Sequence, residues 1–500
     1  MTILIRRMLA LLLLCSFASA CSLAPKYEQP QFDMPKSWRK VDMGASPLNT
    51  DWWTRFNDPV LTALIEEALA KNQDLASSMA KIRSAAAQAG VSSSVLFPNV
   101  SANGEAKGQL ASNRTANTNF DTPTLSQEYA SHQGTLNASW ELDFWGKNRN
   151  QYAMLTDVLM NTVLSHEALR LSVASQTAQT YFGLLANDLQ LETARRTLKI
   201  RQDGLAIYTS RYEQGDITEL DWQRARAEVE TARAQLHQST IAVDNSEAAL
   251  AVLLGRSPRE IMERFMERGK SIRHLPAPPV LPAGLPSELL MRRPDIRASE
   301  FLIMASNANI GVARAQFFPS ISLTGMLGTM SSSVANLFSG PAGAWSYGIS
   351  GSVPILDWGK NWYNLKDAEA QKEQAIAVYI GTVQSAFKDI RTALTKQRET
   401  DHIVKSMQRQ VDSLRRAVEI AQLQYDNGYS DYLTVLDAER ELFSAELNLA
   451  QALESRLNAV VSVCQALGGG WAEKGEKPSF PVIDTEHLVE TETGQKVQKK

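Results

Sequence analysis

The residue of this chain best placed for chemistry is Cys21, and the chemistry is done to it. It follows Ala18-Ser19-Ala20, the small residues of a cleavage site, behind a basic pair, Arg6-Arg7, and an apolar run from Met8 to Leu14. Residues 1–20 therefore read as an export signal. A cysteine at this place is the acyl acceptor of a bacterial lipoprotein, cut before Cys21 and lipidated on its thiol, palmitate being one such group. Ala18 stands where lipoprotein signals usually carry Leu, which leaves plain A-x-A cleavage as the alternative. Cys15 leaves with the signal, so Cys464 has no partner for an internal disulfide and reads as a small buried hydrophobe.

No other residues have the types and spacing of a catalytic or metal site. The histidines at 132, 166, 237, 274, 402 and 487 are scattered without ligand spacing, and no G-x-S-x-G, P-loop or zincin pattern occurs. Ser331-Ser332-Ser333 reads as loop. The chain is expected to be no enzyme and to need no cofactor or metal. Its formal charge of −3 becomes −5 when the two signal arginines leave, which does not fit a nucleic-acid partner. No later stretch approaches the ~20 apolar residues of a membrane-spanning helix. Any crossing of a bilayer must be made by β-strands.

What the elements must position emerges from an internal duplication. Trp145-Gly146-Lys147-Asn148 returns as Trp358-Gly359-Lys360-Asn361, 213 residues later. Tyr212, Gly215, Leu220, Glu228 and Leu254-Gly255 return at the same offset as Tyr425, Gly428, Leu433, Glu441 and Leu467-Gly468. Upstream the offset is 221: Gly90-Val91 and Phe97-Pro98 return as Gly311-Val312 and Phe318-Pro319. A period this long marks two copies of a whole structural unit rather than a solenoid repeat.

Each copy holds a long proline-free tract, Pro123 to Pro258 and Pro354 to Pro478, rich in helix-forming residues. Leu184, Leu191, Leu198, Leu205 and Tyr212 recur every seven residues, and so do Val404, Val411, Val418 and Tyr425. Seven is the coiled-coil period. Each run stops at a matching glycine, Gly215 or Gly428, placed as a helix C-cap that needs positive φ. A second helix follows to Gly255 or Gly468, so each copy ends in a helical hairpin. Its first arm, Gly146 to Tyr212, would be about 100 Å long at 1.5 Å per residue. That exceeds the needs of a compact core.

Before each hairpin lie two segments with the alternation of strands. Val100, Ala102, Gly104 and Ala106 oppose Ser101, Asn103, Glu105 and Lys107; Leu136, Ala138, Trp140 and Leu142 oppose Thr135, Asn137, Ser139 and Glu141. The second copy has Ile321, Leu323, Gly325 and Leu327, then Trp345, Tyr347, Ile349, Gly351, Val353 and Ile355. Loops rich in Ser, Asn, Gly and Thr separate the members of each pair. Strands of ~10 residues with this alternation fit a transmembrane β-barrel; a soluble β-hairpin domain has the same pattern. Four strands have two unpaired edges, which hydrocarbon does not tolerate. Three chains would give twelve strands and room for a channel. The expected fold is thus α+β: a duplicated β-hairpin plus long coiled-coil helical hairpin, assembled as a trimer.

The domain boundaries expected from these signals are a signal at 1–20, a lead-in at 21–60 and a first repeat at 61–260. That repeat holds a transmembrane β-hairpin at 98–145 and a helical hairpin at 146–255. A Pro-rich linker at 261–287 leads to a second repeat at 288–471, with a β-hairpin at 319–357 and a helical hairpin at 358–468. A polar tail occupies 472–500.

The residues closely resemble a known family. Cys-Ser-Leu-Ala-Pro at 21–25, Asp51-Trp52-Trp53 with Asp58-Pro59, and the run Leu289-Leu290-Met291-Arg292-Arg293-Pro294-Asp295-Ile296 are similar to the TolC-type outer-membrane factors. So are Phe317 to Leu323 and Ala466 to Trp471, and the closest likeness is to the OprM-like lipoprotein branch that serves multidrug efflux. The resemblance spans nearly the whole mature chain. It implies a homotrimer with a 12-stranded outer-membrane β-barrel continuous with a periplasmic α-helical barrel. It also implies docking, through a periplasmic adaptor, to a proton-driven inner-membrane pump. The expected function is the gated exit duct of a tripartite efflux system, lipid-anchored in the outer membrane. The rival reading is a periplasmic adaptor or coiled-coil scaffold, which normally carries one hairpin rather than two.

The resemblance further assigns a periplasmic gate. The family's two constricting positions match Leu433 and Asp437, and its restraining hydrogen-bond pair matches Asp221 and Tyr425. A three-fold leucine ring would dewet the axis and an aspartate ring would favour cations. Two other family positions, an arginine and an acid, fall on Ser430 and Thr434 and do not carry over. Outside the gate reading, Asp437 is a surface acid three residues from Arg440.

Overall fold

Periods of two and of seven residues demand two kinds of element, and the chain builds both twice. A computed structural model describes residues 22–33, 51–110, 128–263, 265–276 and 292–469. Cys21, the loop at 111–126, residues 264 and 277–287 of the Pro-rich linker, Trp471 and the tail from 472 lie outside these residues. In order the elements are α1 (Pro59–Lys71), α2 (Gln73–Ser94), β1 (Asn99–Leu110), β2 (Glu128–Leu142), α3 (Lys147–Glu213), α4 (Glu219–Leu253) and α5 (Pro258–Glu263). The second repeat follows with α6 (Pro294–Ala315), β3 (Ser320–Ser331), β4 (Gly343–Ser352), α7 (Lys360–Asp426) and α8 (Tyr432–Ala466). The long arms α3 and α7 are each 67 residues, and the returning arms α4 and α8 each 35. No described helix is long and apolar enough to cross a membrane.

The chain divides into two compact units. The first takes in Met1–Phe32, Ser77–Ser165 and Asp295–Thr382, and with them all four strands. They form one antiparallel sheet in the order β1-β2-β3-β4, so β2 and β3 join the two repeats while β1 and β4 are its edges. Register sorts the side chains into two faces. The rungs Val100–Ala138–Gly325–Tyr347 and Ala102–Leu136–Leu327–Trp345 share one face with Trp140, Leu323 and Ile349. The neighbouring rungs Ser101–Asn137–Met326–Ser346 and Glu105–Gln133–Met330 share the other with Glu141, Ser322 and Ser350. Met326 and Met330 on the polar face, and His132 near the loop end of the apolar face, are the main departures. The apolar face is bare: Trp345, Tyr347 and Ile349 are 70%, 83% and 76% exposed. An antiparallel sheet in water buries such a face; this one is built for lipid.

The strands are tied to their helices by polar contacts. Trp145 Nε1 donates to the Pro319 carbonyl at 2.8 Å, and its ring stacks on Phe318 with centroids 4.6 Å apart. The Asp143 carboxylate accepts from Asn148 N and Arg149 N and caps the start of α3; Asp357 does the same for α7 through Gly359 N and Asn361 N. The segment from Ser22 is strapped to this unit. Ser22 Oγ donates to Asn150 Oδ1, Arg314 donates to the Leu23 carbonyl, and Tyr27 Oη donates to Glu300. A Cβ on Gly311 would collide with Asn150 and Ala24, so glycine makes room for the strap.

The second unit takes in Asp33–Ala76, His166–Pro294 and Val383–Lys500. Trp52, Phe56, Tyr181 and Phe182 are among its most buried side chains. Asp58, itself buried, caps α1 through Val60 N and Leu61 N and accepts from Tyr181 Oη at 2.8 Å. Gly269 N donates to the same phenol oxygen. The Trp52-Trp53…Asp58-Pro59 motif is thus a packing corner with a cap on its end.

Candidate functional site

Within the second unit, the hairpin tips and the contacts just above them gather most of the buried charge. Each tip ends its long helix by the same device. Gly215, with φ +81°, donates to the Tyr212 carbonyl, and Asp216 N reaches back to the Arg211 carbonyl. Gly428, with φ +75°, donates to Tyr425 O, and Tyr429 N reaches Gln424 O. This paired closure is the Schellman motif, which needs a residue tolerant of positive φ. The far ends of the hairpins repeat it at Gly255 and Gly468.

The returning helices start from equivalent caps with their residue types exchanged. Thr218 Oγ1 accepts from Asp221 N and donates to Asp221 Oδ2 at 2.7 Å; Asp431 Oδ1 accepts from Thr434 N and from Thr434 Oγ1 at 2.8 Å. Hydrogen bonds from Thr434 hold the Asp431 carboxyl below its ordinary range. The Asp221 carboxylate also lies 3.6 Å from Arg224.

The two expected latch residues have other partners here. Within one chain Asp221 is spent on its own helix start, and the Tyr425 hydroxyl accepts from Arg211 Nη1 at 3.5 Å instead. Tyr425 belongs to an aromatic cluster with Tyr208 and Tyr432, whose ring centroids are 4.1 Å apart. The Thr218–Asp221 pair is a reciprocal cap between residues three apart at the start of α4.

Above the cluster the four helices are clasped by buried ions. Glu228 on α4 pairs with Arg201 on α3 at 2.6 Å, both nearly fully buried, and accepts from Arg440 Nε on α8 at 2.7 Å. Glu446 on α8 joins Arg415 on α7 at 2.9 Å and Arg196 on α3. Two carboxylates therefore tie together both hairpins. Arg201, Tyr208, Glu228, Tyr425, Tyr432 and Glu439 line a cleft of about 410 Å³. Burial raises the Glu439 carboxyl above its ordinary range; the Arg201 charge opposes this and Glu228 adds to it.

A pH dependence follows from that direction. A carboxyl whose folded-state pKa is raised contributes stability below its unfolded pKa and loses it as pH rises through the folded value. Glu439→Gln should therefore stabilise the helical hairpins relative to the parent at neutral pH, with the gain vanishing in acid. Thermal melts of both proteins across that range check this, and a gain independent of pH would exclude Glu439 as its source.

Leu433 and Asp437 lie one turn apart on α8, to one side of the packed stripe of Tyr432, Val435 and Leu436. Leu433 is half-buried and Asp437 exposed. Asp437 Oδ1 is 3.5 Å from Arg440, the pairing its sequence spacing allows. The sequence did not single out the ionic clasp. Its signal was a second seven-residue series, Ala194, Arg201 and Tyr208, all buried, running three places behind the leucine series that was visible. Among the described residues no group of His, Cys, Asp and Glu could hold a metal ion.

Comparison with known proteins fits this architecture. A family model described as outer membrane efflux protein matches residues 64–256 and 285–469, one match for each repeat. The cation efflux system protein CusC of Escherichia coli O6:H1 is 33% identical over 91% of this chain and 97% of its own length. The solvent efflux pump outer membrane protein SrpC of Pseudomonas putida is also 33% identical, over 93% of this chain and 98% of its own. The crystal structure of the Campylobacter jejuni CmeC outer membrane channel superposes with a TM-score of 0.85 at 27% identity, covering 95% of this chain and 98% of that one. Two family-matched repeats, each with its paired strands and helical hairpin, identify the chain as a member of the outer membrane efflux protein family, an exit duct of the outer membrane.

Proposed function

We propose that three copies close a 12-stranded barrel in the outer membrane and that their hairpins form the periplasmic conduit, lipid-anchored at Cys21. The observation that carries this reading is the sheet: its faces are sorted into apolar and polar by register, and neither of its edges has a strand partner among the described residues. Closure between copies satisfies those edges in lipid. The Ser22 strap supports the anchor, since it holds the residue after Cys21 against the first turn of α3.

Leu433 and Asp437 narrow the duct at the tips, and a periplasmic adaptor engages those tips to pass cargo from an inner-membrane, proton-driven pump. Relatives of equal identity are named for cations and for solvents, so cargo class varies at this level of similarity. Purified protein should run as a heat-dissociable trimer and conduct in planar bilayers. Asp437→Asn should lower its preference for cations over anions, because it removes one axial charge per copy and keeps the shape. Unchanged ion preference would place Asp437 off the axis, leaving it as the partner of Arg440.

A further inference from the structure

The duplication carries information about a contact that a single chain cannot make. Within the first repeat Asn99 pairs with Ser139; shifting these by the two offsets, 221 and 213, gives Ser320 and Ser352, a pair that the second repeat does form. The offsets therefore hold inside the strands themselves. The junction of the repeats, β2 with β3, runs from His132↔Ser331 to Leu142↔Ile321. Moving its β2 member forward by 213 lands on β4, and moving its β3 member back by 221 lands on β1, the two free edges of the same sheet.

We infer that β4 of one copy pairs antiparallel with β1 of the next in the register Trp345↔Leu110 through Ser352↔Asn103. This rests on the trimeric reading above and specifies how its copies meet. In that register Ile349 faces Ala106 on the apolar side, and Ser350 faces Glu105 on the polar side, so both faces continue across the joint. A slip of one residue would put Trp345, Tyr347 and Ile349 against the polar series. A slip of two would keep the faces and is excluded only by the offsets, so it is the alternative to test.

A second observation agrees. Trp145 is seated on Phe318 and Pro319 across the β2–β3 junction. Its counterpart Trp358 is 87% exposed, and Phe97, the counterpart of Phe318, is 68% exposed. Neither has a ring partner among the described residues. A free tryptophan beside β4 and a free seat beside β1 are complementary halves of the contact already made inside the chain.

Cysteine pairs decide the register. Facing residues of an antiparallel ladder lie within disulfide range, and adjacent rungs alternate between wide and close spacing. Two neighbouring rungs, Ser352→Cys with Asn103→Cys and Gly351→Cys with Gly104→Cys, therefore include one close pair. On oxidation at least one should give a covalent trimer on a non-reducing gel. The two-residue slips, Ser352→Cys with Glu105→Cys or with Ser101→Cys, and the parent carrying buried Cys464, should not. Intact non-covalent trimers that cross-link only through a slipped pair, or through none, overturn the register alone. Absence of trimers in the parent overturns the assembly on which it rests.

Discussion

Glu228→Gln should lower the stability of the helical hairpins by about 3–5 kcal/mol per copy, the cost of leaving a buried charge without its partner. Arg201 supplies that charge: its side chain is 4% exposed and its ion pair is to Glu228. Glutamine keeps the shape and one acceptor but cannot balance the guanidinium. Arg440 also loses its carboxylate, yet it is half exposed and recovers most of the loss from water. The comparison that isolates the effect is Glu441→Gln, the duplicated position of Glu228, which lies exposed on α8 and should stay within about 0.5 kcal/mol. Guanidinium unfolding followed by helical circular dichroism measures both. Equal shifts for the two variants would mean that burial of the Arg201 pair is not what sets the cost. Replacing Arg201 and Glu228 together by Met and Leu should recover much of the stability, because a buried pair and a well-packed apolar substitute are often equivalent.

The second large effect separates glycines that share one motif. Gly215→Ala at the open tip meets nothing within 4 Å, so it costs only the positive φ, roughly 1–2 kcal/mol. Gly255→Ala pays the same φ cost and also drives its Cβ into the Lys71 carbonyl at the end of α1. That carbonyl is backbone and cannot swing away, which adds about 1–3 kcal/mol of forced displacement. Gly468 is crowded less severely: a Cβ there would lie 3.0 Å from the Arg292 carbonyl oxygen. Gly255→Ala should thus reduce the yield of assembled protein where Gly215→Ala leaves it unchanged. Trimer bands from membranes grown in parallel read this directly, and identical yields would show that α1 moves aside without loss.

These contrasts mark how far the sequence could be read. The strands were legible because a period of two survives in exposed sheet positions: Leu136, Leu327 and Trp345 were placed on one side by alternation and share a rung in the sheet. The long arms were legible from proline-free length and from capping glycines. The clasp was not, because a coiled-coil position filled by arginine looks like surface until its carboxylate is located on another helix. Duplication was even misleading there, since Glu228 and Glu441 match in sequence while only Glu228 is buried. The gate positions came from resemblance, and within the chain Asp221 contacts Thr218, three residues before it, while Tyr425 accepts from Arg211.

The polar face of the sheet bears on what this duct can refuse. Apart from Glu128 at the loop end of β2 and His132 on the apolar face, the acids and bases on the described strands are Glu105, Lys107 and Glu141. Glu141 is answered by Lys147 at 2.9 Å, and Glu105 accepts from Gln133. The rest of that wall is hydroxyl, amide, glycine, the methyl of Ala344 and two thioethers. Such a lining hydrates ions and neutral solutes with little distinction, since it offers neither a strong field nor a shaped apolar slot. Discrimination among cargoes then falls to whatever loads the conduit, and the wall's indifference lets one architecture serve chemically unlike traffic.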